Sequence, residues 1–68
     1  MATGVVKKLV ADRGFGFVAA DDGKDYFFHR TGLEPPLEFE QLALGERLEF
    51  QLETDPKGLR AAHLRRAS

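Results

Sequence analysis

Short apolar segments that alternate with polar residues constrain this chain more than any other feature. The clearest one covers residues 46–53, where Leu48, Phe50 and Leu52 are separated by polar side chains. A repeat of two residues is typical of a strand that buries one face, because successive side chains point to opposite sides of a sheet. We therefore predict a strand here, with Leu48, Phe50 and Leu52 facing the core.

Four other segments have strand character, and turn sequences rich in glycine, aspartate and proline separate them. The predicted strands cover residues 3–11, 15–20, 25–30, 46–53 and 59–65. The turn sequences are Asp12-Arg13-Gly14, Asp21-Asp22-Gly23 and Asp55-Pro56-Lys57-Gly58. Residues 31–45 contain two glycines and two adjacent prolines, which predict a long loop with room for one helical turn. In the last strand we expect Ala62 and Leu64 to face inward.

The length of the chain limits the architecture. Its 68 residues are enough for one domain, residues 1–68, with one core. No cysteine is present, which excludes disulfides, thiolate metal sites and a cysteine nucleophile. A five-stranded sheet this small is best stabilised by curling into a barrel, because closure removes exposed strand edges. We expect an all-β fold, a five-stranded antiparallel β-barrel of the oligonucleotide-binding type (OB-fold), with an open sandwich as the alternative.

The N-terminal sequence does not look like a targeting segment. Residues 1–8 lack the apolar stretch of a signal peptide. The longest uncharged stretch of the chain is also too short to cross a bilayer. The absence of cysteine is compatible with a reducing compartment. We therefore expect a soluble, cytoplasmic protein with no membrane partner.

Charge is distributed unevenly, although the net charge is only −1. Residues 34–55 hold seven acidic side chains against Arg47 alone, whereas residues 56–68 hold four basic side chains and no acid. A near-neutral total argues against a generic binder of polyanions, which is usually basic. A fold that separates the two segments would present one basic and one acidic side. The acidic segment is interpreted as a solvated face, with a metal or partner site as the alternative.

Aromatic side chains are concentrated in the second and third predicted strands. Alternation places Phe15 and Phe17 on one face of the second strand, and Phe27 and His29 on one face of the third. The short turn between these strands makes them antiparallel neighbours, so the four rings can lie side by side. We call these four residues the aromatic platform. The opposite face, which we expect to lie toward the core, carries Gly14, Gly16, Val18, Tyr26 and Phe28.

Basic side chains are expected to surround the aromatic platform. The cations in segments that neighbour its two strands are Lys7, Lys8, Arg13, Arg30 and Lys57. Exposed rings stack on bases at roughly 1–3 kcal/mol per base, while lysine and arginine follow the phosphates. This mixture predicts binding of single-stranded nucleic acid. The competing interpretation is that all of these rings belong to the core, as most aromatic residues of small domains do.

Two motifs make the chain similar to the cold-shock domain family. Asp12-Arg13-Gly14-Phe15-Gly16-Phe17-Val18 resembles the first ribonucleoprotein motif of that family, and Asp25-Tyr26-Phe27-Phe28-His29 resembles the second. Residues 3–7, 45–50 and 57–64 resemble its first, fourth and fifth strands, so the resemblance covers nearly the whole chain. It implies an antiparallel five-stranded barrel that binds single-stranded RNA and DNA, commonly as an RNA chaperone in the cytoplasm.

The resemblance also implies the residues of the site. The four residues of the aromatic platform match stacking positions, Lys7, Arg13 and Lys57 match basic positions, and Phe39 matches an aromatic residue of a loop. With the neighbouring cations added, the candidate nucleic-acid-binding residues are Lys7, Lys8, Arg13, Phe15, Phe17, Phe27, His29, Arg30, Phe39, Lys57 and Arg60.

Three positions depart from the family pattern. Lys8 stands where the family usually places a stacking tryptophan, and Leu9 and Arg30 also stand at positions that are usually aromatic. At roughly 1–3 kcal/mol per stacked base, the loss of one ring can weaken binding tenfold or more. Lys8 and Arg30 can compensate in part through phosphate contacts, and an arginine can also stack on a base. We therefore predict weaker and more salt-sensitive binding than in typical members.

Other functions find less support in the sequence. His29 and His63 have no nucleophile or second ligand at a useful spacing, so we expect no enzyme activity, metal, cofactor or small-molecule substrate. His63 is expected on an outward face of the last strand, and Arg65 and Arg66 are either phosphate contacts or an exposed tail. The favoured function is that of an RNA chaperone or a regulator of transcription or translation, with a monomer favoured. The alternative is a protein-interaction module on the same barrel, with weakened affinity for nucleic acid.

Overall fold

In a computed structural model, which describes residues 2–67, the chain forms a closed barrel of five strands. The strands are β1 (Ala2–Val10), β2 (Phe15–Ala20), β3 (Asp25–His29), β4 (Arg47–Asp55) and β5 (Gly58–Arg66). Around the barrel they follow the order β1-β2-β3-β5-β4, and β4 pairs with β1 to close it. The predicted all-β barrel of the OB type is confirmed, and every predicted strand agrees with the observed bounds to within two residues.

One of the strand pairings is parallel. The pairs β1–β2, β1–β4, β2–β3 and β4–β5 are antiparallel, whereas β3 and β5 meet in parallel at Phe27 and Arg60. A closed ring with an odd number of strands cannot reverse direction at every step, so one parallel pair is unavoidable. The prediction of an antiparallel barrel therefore holds for the sheet in general but cannot hold at every pair.

The segment between β3 and β4 contributes to the core. It contains two 3-10 turns, Arg30–Gly32 and Phe39–Gln41, where the sequence predicted a loop with room for one helical turn. Leu37, Phe39 and Leu42 of this segment are buried and pack with the inward-facing side chains of the strands. Their burial stabilises the domain because about 25 cal/mol is gained per Å² of apolar surface removed from water. The long loop is therefore structural rather than a free insertion.

The core otherwise follows the strand alternation. The largest fully buried side chains are Phe28, Phe50, Leu48, Leu64, Val6 and Val18. The inward positions predicted for Leu48, Phe50, Ala62 and Leu64 are confirmed, but the one predicted for Leu52 is wrong because its side chain is 38% exposed. In the described residues, the pairing of β1 with β4 ends at Phe50, whereas β4 and β5 stay paired as far as Asp55 and Gly58. Leu52 therefore lies in the part of the β4–β5 hairpin that extends beyond β1.

Gly16 is required where β1, β2 and the core meet. A Cβ atom at this position would lie 2.9 Å from Cζ of Phe28 and would collide with the main-chain oxygen of Lys8. Because one of these neighbours is backbone and the other is a fully buried ring, neither can give way cheaply. The absence of a side chain at Gly16 therefore allows β1 to approach β2 over Phe28.

We predict that Gly16→Ala lowers the free energy of unfolding by about 1–3 kcal/mol, the usual cost of overpacking a core. The matched control is Gly32→Ala, whose new Cβ would lie 3.5 Å from Leu64 Cδ1, an ordinary contact distance. For that variant we expect a change within about 0.5 kcal/mol. Urea denaturation of both proteins measures the difference, and equal losses would contradict the role given to Gly16.

Candidate nucleic-acid interface

The structure brings the four residues of the aromatic platform together on the outer face of β2 and β3. Phe15 lies directly opposite His29, and Phe17 lies opposite Phe27. The centroid of the Phe15 ring is 5.5 Å from that of Phe27, and the Phe17 ring is 6.1–6.2 Å from both. All four side chains are partly exposed, whereas Phe28 on the inner face is fully buried. The predicted division between outer and inner rings is therefore observed.

The platform rings also hold one another in place. Phe17 meets both Phe15 and Phe27 edge to face, with interplanar angles of 87° and 78°. Edge-to-face pairs are worth about 0.5–1.5 kcal/mol beyond the area that they bury. Large exposed apolar patches on protein surfaces often mark interaction sites. The arrangement provides fixed ring faces that can receive planar ligand groups.

His29 is oriented by the turn that follows it. Its Nδ1 accepts a hydrogen bond from the main-chain nitrogen of Thr31 at 3.2 Å and lies 2.9 Å from Oγ1 of Thr31. The ring therefore caps the 3-10 turn Arg30–Gly32. Its position on the platform depends on that turn keeping its place against the barrel.

A β-bulge places two lysines on the outside of β1. Val6 pairs with Val18, and Lys8 pairs with Phe17, so Lys7 is the extra residue and the alternation is interrupted. As a result Lys7 and Lys8 are both exposed. Lys7 forms an ion pair with Asp25 at 2.6 Å, whereas Lys8 points to solvent beside Phe17. The bulge thus supplies the platform with one unneutralised cation.

The basic side chains divide into those with and those without an ionic partner. In residues 2–67, seven of the eleven carboxylates are ion-paired, mostly with cations of β4 and β5. The lysines and arginines of this range that form no ion pair are Lys8, Arg13, Lys24, Arg30 and Lys57. Lys24 lies in the turn at the opposite end of β2 and β3, and the other four are predicted site residues. The unneutralised positive charge is therefore concentrated around the platform.

The expected separation into a basic and an acidic side does not occur for residues 34–66. β4 and β5 are antiparallel neighbours, so Glu49 meets Arg65 and Asp55 meets Arg60, at 3.3 Å and 3.8 Å. Arg66 likewise pairs with Glu46 at 2.5 Å. The acidic segment is thus largely neutralised by the basic one. This also explains how a chain with a net charge of −1 can present a cationic rim around one face.

Arg30 lies over Gly14 at one end of the platform. A Cβ atom on Gly14 would come within 2.9 Å of Cδ of Arg30, so the arginine stem occupies the space that a side chain would need. The main-chain nitrogen of Arg30 donates to the oxygen of Gly14 at 2.8 Å. Gly14 itself has φ 71°, a conformation that glycine adopts at little cost. Together these contacts hold Arg30 beside the Phe15–His29 pair.

Lys57 and Arg60 extend the site across the parallel pair. Arg60 lies opposite Phe27, and Lys57 lies in the turn between β4 and β5. Both residues line a cleft of ≈ 630 Å³ together with Phe27, His29 and Leu59. Leu59 is 51% exposed and was missed by the sequence analysis. Its place directly after the turn Pro56-Lys57-Gly58, near predicted site residues, is the signal that could have identified it.

Phe39 does not belong to the platform. Its side chain is 8% exposed and packs against Phe28 in the core, with ring centroids 6.3 Å apart. The 3-10 turn that begins at Phe39 directs the ring inward, where it covers one end of the barrel. The expectation that Phe39 is a loop aromatic available for stacking is therefore corrected.

Comparison with known proteins identifies the family. The family model described as 'Cold-shock' DNA-binding domain matches residues 2–67. The chain belongs to the cold-shock domain family. Its relatives include the cold shock-like protein CspG of Escherichia coli, which is 43% identical over 91% of this chain and 89% of its own length. The major cold shock protein of Micrococcus luteus is 38% identical over 94% and 96%, respectively. Membership of this family supports nucleic-acid binding.

The three departures from the cold-shock pattern differ in their exposure. Leu9 is partly buried and packs against the core. Lys8 and Arg30 are exposed at the edge of the platform. This cold-shock domain therefore has cations where other members are expected to have two of their rings. Within residues 2–67, no helix is long and apolar enough to cross a membrane.

Proposed function

We propose that this cold-shock domain binds single-stranded RNA or DNA with little sequence preference, as a cytoplasmic RNA chaperone or a regulator of transcription or translation. The observation that carries the proposal is the coincidence of a partly exposed ring cluster with four of the five cations that form no ion pair in residues 2–67. Bases would stack on Phe15, Phe17, Phe27 and His29. Phosphates would contact Lys8, Arg13, Arg30 and Lys57.

The chemistry of this face suits single strands rather than a duplex. Stacking requires unpaired bases whose faces are free, and every base has such a face, so the contact tolerates sequence changes. Lysine and arginine side chains add attraction to the backbone, and the released counterions make that attraction dependent on salt. The face therefore favours flexible, unstructured segments.

Replacement of rings by cations should change the balance of the binding energy. A lysine at position 8 can neutralise a phosphate but cannot stack, whereas the guanidinium of Arg30 can do either. We therefore expect a smaller stacking contribution and a larger electrostatic one than in members that keep all of their rings. Affinity should be lower than in those members and should fall more steeply with salt.

We predict that Phe15→Ala and Phe27→Ala each weaken binding of a short pyrimidine-rich single strand by about 5-fold to 150-fold. This range corresponds to about 1–3 kcal/mol per stacked base. Fluorescence anisotropy at low salt measures the affinities. Because both rings are partly exposed, the variants should remain folded, which circular dichroism verifies.

The matched control for these variants is Leu44→Ala, since Leu44 is 67% exposed and does not lie on the platform strands. It should bind like the parent chain. Full affinity in folded Phe15→Ala and Phe27→Ala variants would contradict the stacking role. Absence of any binding at low salt would instead favour a protein-interaction module on the same barrel.

We predict that Lys8→Gln lowers the slope of log affinity against log salt by about 0.7, the value for one phosphate contact on a single strand. The matched control is Lys24→Gln, which removes the same charge from an unpaired lysine at the far end of the β2–β3 hairpin. Its slope should equal that of the parent. Titrations at several salt concentrations give the slopes, and a flat salt response of the parent would overturn the electrostatic account.

A further inference from the structure

His63 has a backbone conformation that sets it apart from the rest of β5. Its φ is 53°, and it is the non-glycine residue with positive φ in residues 2–67. It lies in a second bulge, because Glu49 pairs with Arg65 whereas Gln51 pairs with Ala62, which leaves one extra residue on β5. Left-handed backbone is uncommon outside glycine, although histidine and asparagine are among the residues that adopt it. The bulge turns the His63 side chain toward the loop that follows β3.

Both ring nitrogens of His63 contact carboxylates. Nδ1 lies 2.9 Å from Oε2 of Glu34, and Nε2 lies 3.2 Å from Oε2 of Glu53. A neutral imidazole carries one N–H, so it can donate to only one of these oxygens and must present a lone pair to the other. The imidazolium form donates to both. The contact geometry therefore favours the protonated ring, which bridges a loop residue and a strand residue.

The loop residue in this bridge follows the turn that orients the platform. Glu34 comes two residues after the turn Arg30–Gly32, and its main-chain nitrogen donates to the oxygen of Leu64 at 2.8 Å. Leu33 forms an isolated parallel bridge with Leu64. A cavity of ≈ 260 Å³ lies beside these contacts and is lined in part by His29, Glu34 and His63. Arg30 is also hydrogen-bonded to Gly14, and Leu33 packs against the core, so the contacts of Glu34 add to these in holding residues 30–34 against the barrel.

We propose that His63, together with Glu34 and Glu53, forms a proton-dependent clip that fastens residues 30–34 to β4 and β5 and thereby positions His29 and Arg30 for nucleic acid. When His63 loses its proton, the contact with one carboxylate becomes repulsive and the segment loosens. His63 is thus a positioning residue that does not itself touch the ligand. The effect on affinity rests on the proposed function, whereas the clip itself does not.

The charges around His63 give the direction of the pH effect. The hydrogen bond to Glu34 and the charge of Glu53 raise the pKa of His63 above its ordinary value of 6.5. Arg60 of β5 and His29 of β3 line the same cavity. A raised pKa means that the folded state favours the protonated ring. The clip is therefore complete at low pH and is lost as the pH rises through the pKa of His63 in the folded chain.

The clip is tested first without nucleic acid, by amide hydrogen exchange of the full chain between about pH 5.5 and about pH 8.5. After correction for the intrinsic exchange rate, the protection of the Glu34 amide should fall with rising pH, while amides of the β1–β2 hairpin keep theirs. In His63→Asn, which suits the left-handed backbone, the Glu34 protection should be low and independent of pH. In Glu34→Gln, the protection of the amide of residue 34 should likewise be low and independent of pH.

Glu53→Gln is the matched control because it removes the same charge from β4, which remains bonded to β5 without it. In that variant a neutral ring can donate to Glu34 and accept from the introduced amide, so the Glu34 protection should persist toward the upper pH. Unchanged Glu34 protection across the pH range in the parent chain would overturn the clip. An identical response in parent and His63→Asn would overturn it as well.

Anisotropy titrations with an oligothymidylate over the same pH range test the consequence for binding. The parent should bind about twofold to fivefold more weakly at the upper pH, the range expected for an exposed ion pair. His63→Asn should show no such dependence, and His29→Phe should retain it. A dependence that vanishes in His29→Phe and persists in His63→Asn would overturn the proposal. Absence of binding at every pH, with pH-dependent Glu34 protection, would contradict the proposed function and support the clip.

Discussion

The register of the β2–β3 ladder is the constraint on which the core and the outer face both depend. Gly16 pairs with Phe28 and Phe17 pairs with Phe27, so one ladder sends one ring inward and two rings outward. A slip of one residue would exchange the two sets, which would expose the core and bury the platform. Gly16 protects this register because it admits the Phe28 ring beneath β1. Stability and ligand binding are thus specified by the same few pairs.

Ion pairing determines where the remaining charge can act. The carboxylates of β4 face the cations of β5, and this cross-strand pairing leaves the strand pair nearly neutral. Surface ion pairs of this kind stabilise a fold by little, at about 0–1 kcal/mol each. Their larger effect here is on the electric field, because they leave Lys8, Arg13, Arg30 and Lys57 as the main unneutralised cations near the rings. The net charge of −1 alone would not have predicted a cationic surface around the platform.

Features that depend on local sequence could be predicted, and features that depend on distant contacts could not. The strands and the outward rings follow from alternation and turn residues, which act over a few positions. The burial of Phe39 depends on Phe28, which is eleven residues earlier in the chain, and the exposure of Leu52 depends on where β1 begins. The bulges at Lys7 and His63 interrupt alternation without a glycine or proline to mark them. The parallel β3–β5 pair follows from the number of strands in the closed ring.

We propose that nucleic acid binds on the face formed by β2, β3 and the turn before β5. The most direct measurement is a titration of the isotopically labelled chain with a short oligothymidylate, followed by amide chemical shifts in NMR spectra. The account predicts that the largest changes fall on residues 13–17, 27–30 and 57–60. Changes confined to the ion-paired face around Arg47, Arg65 and Arg66, or spread evenly over the barrel, would contradict it.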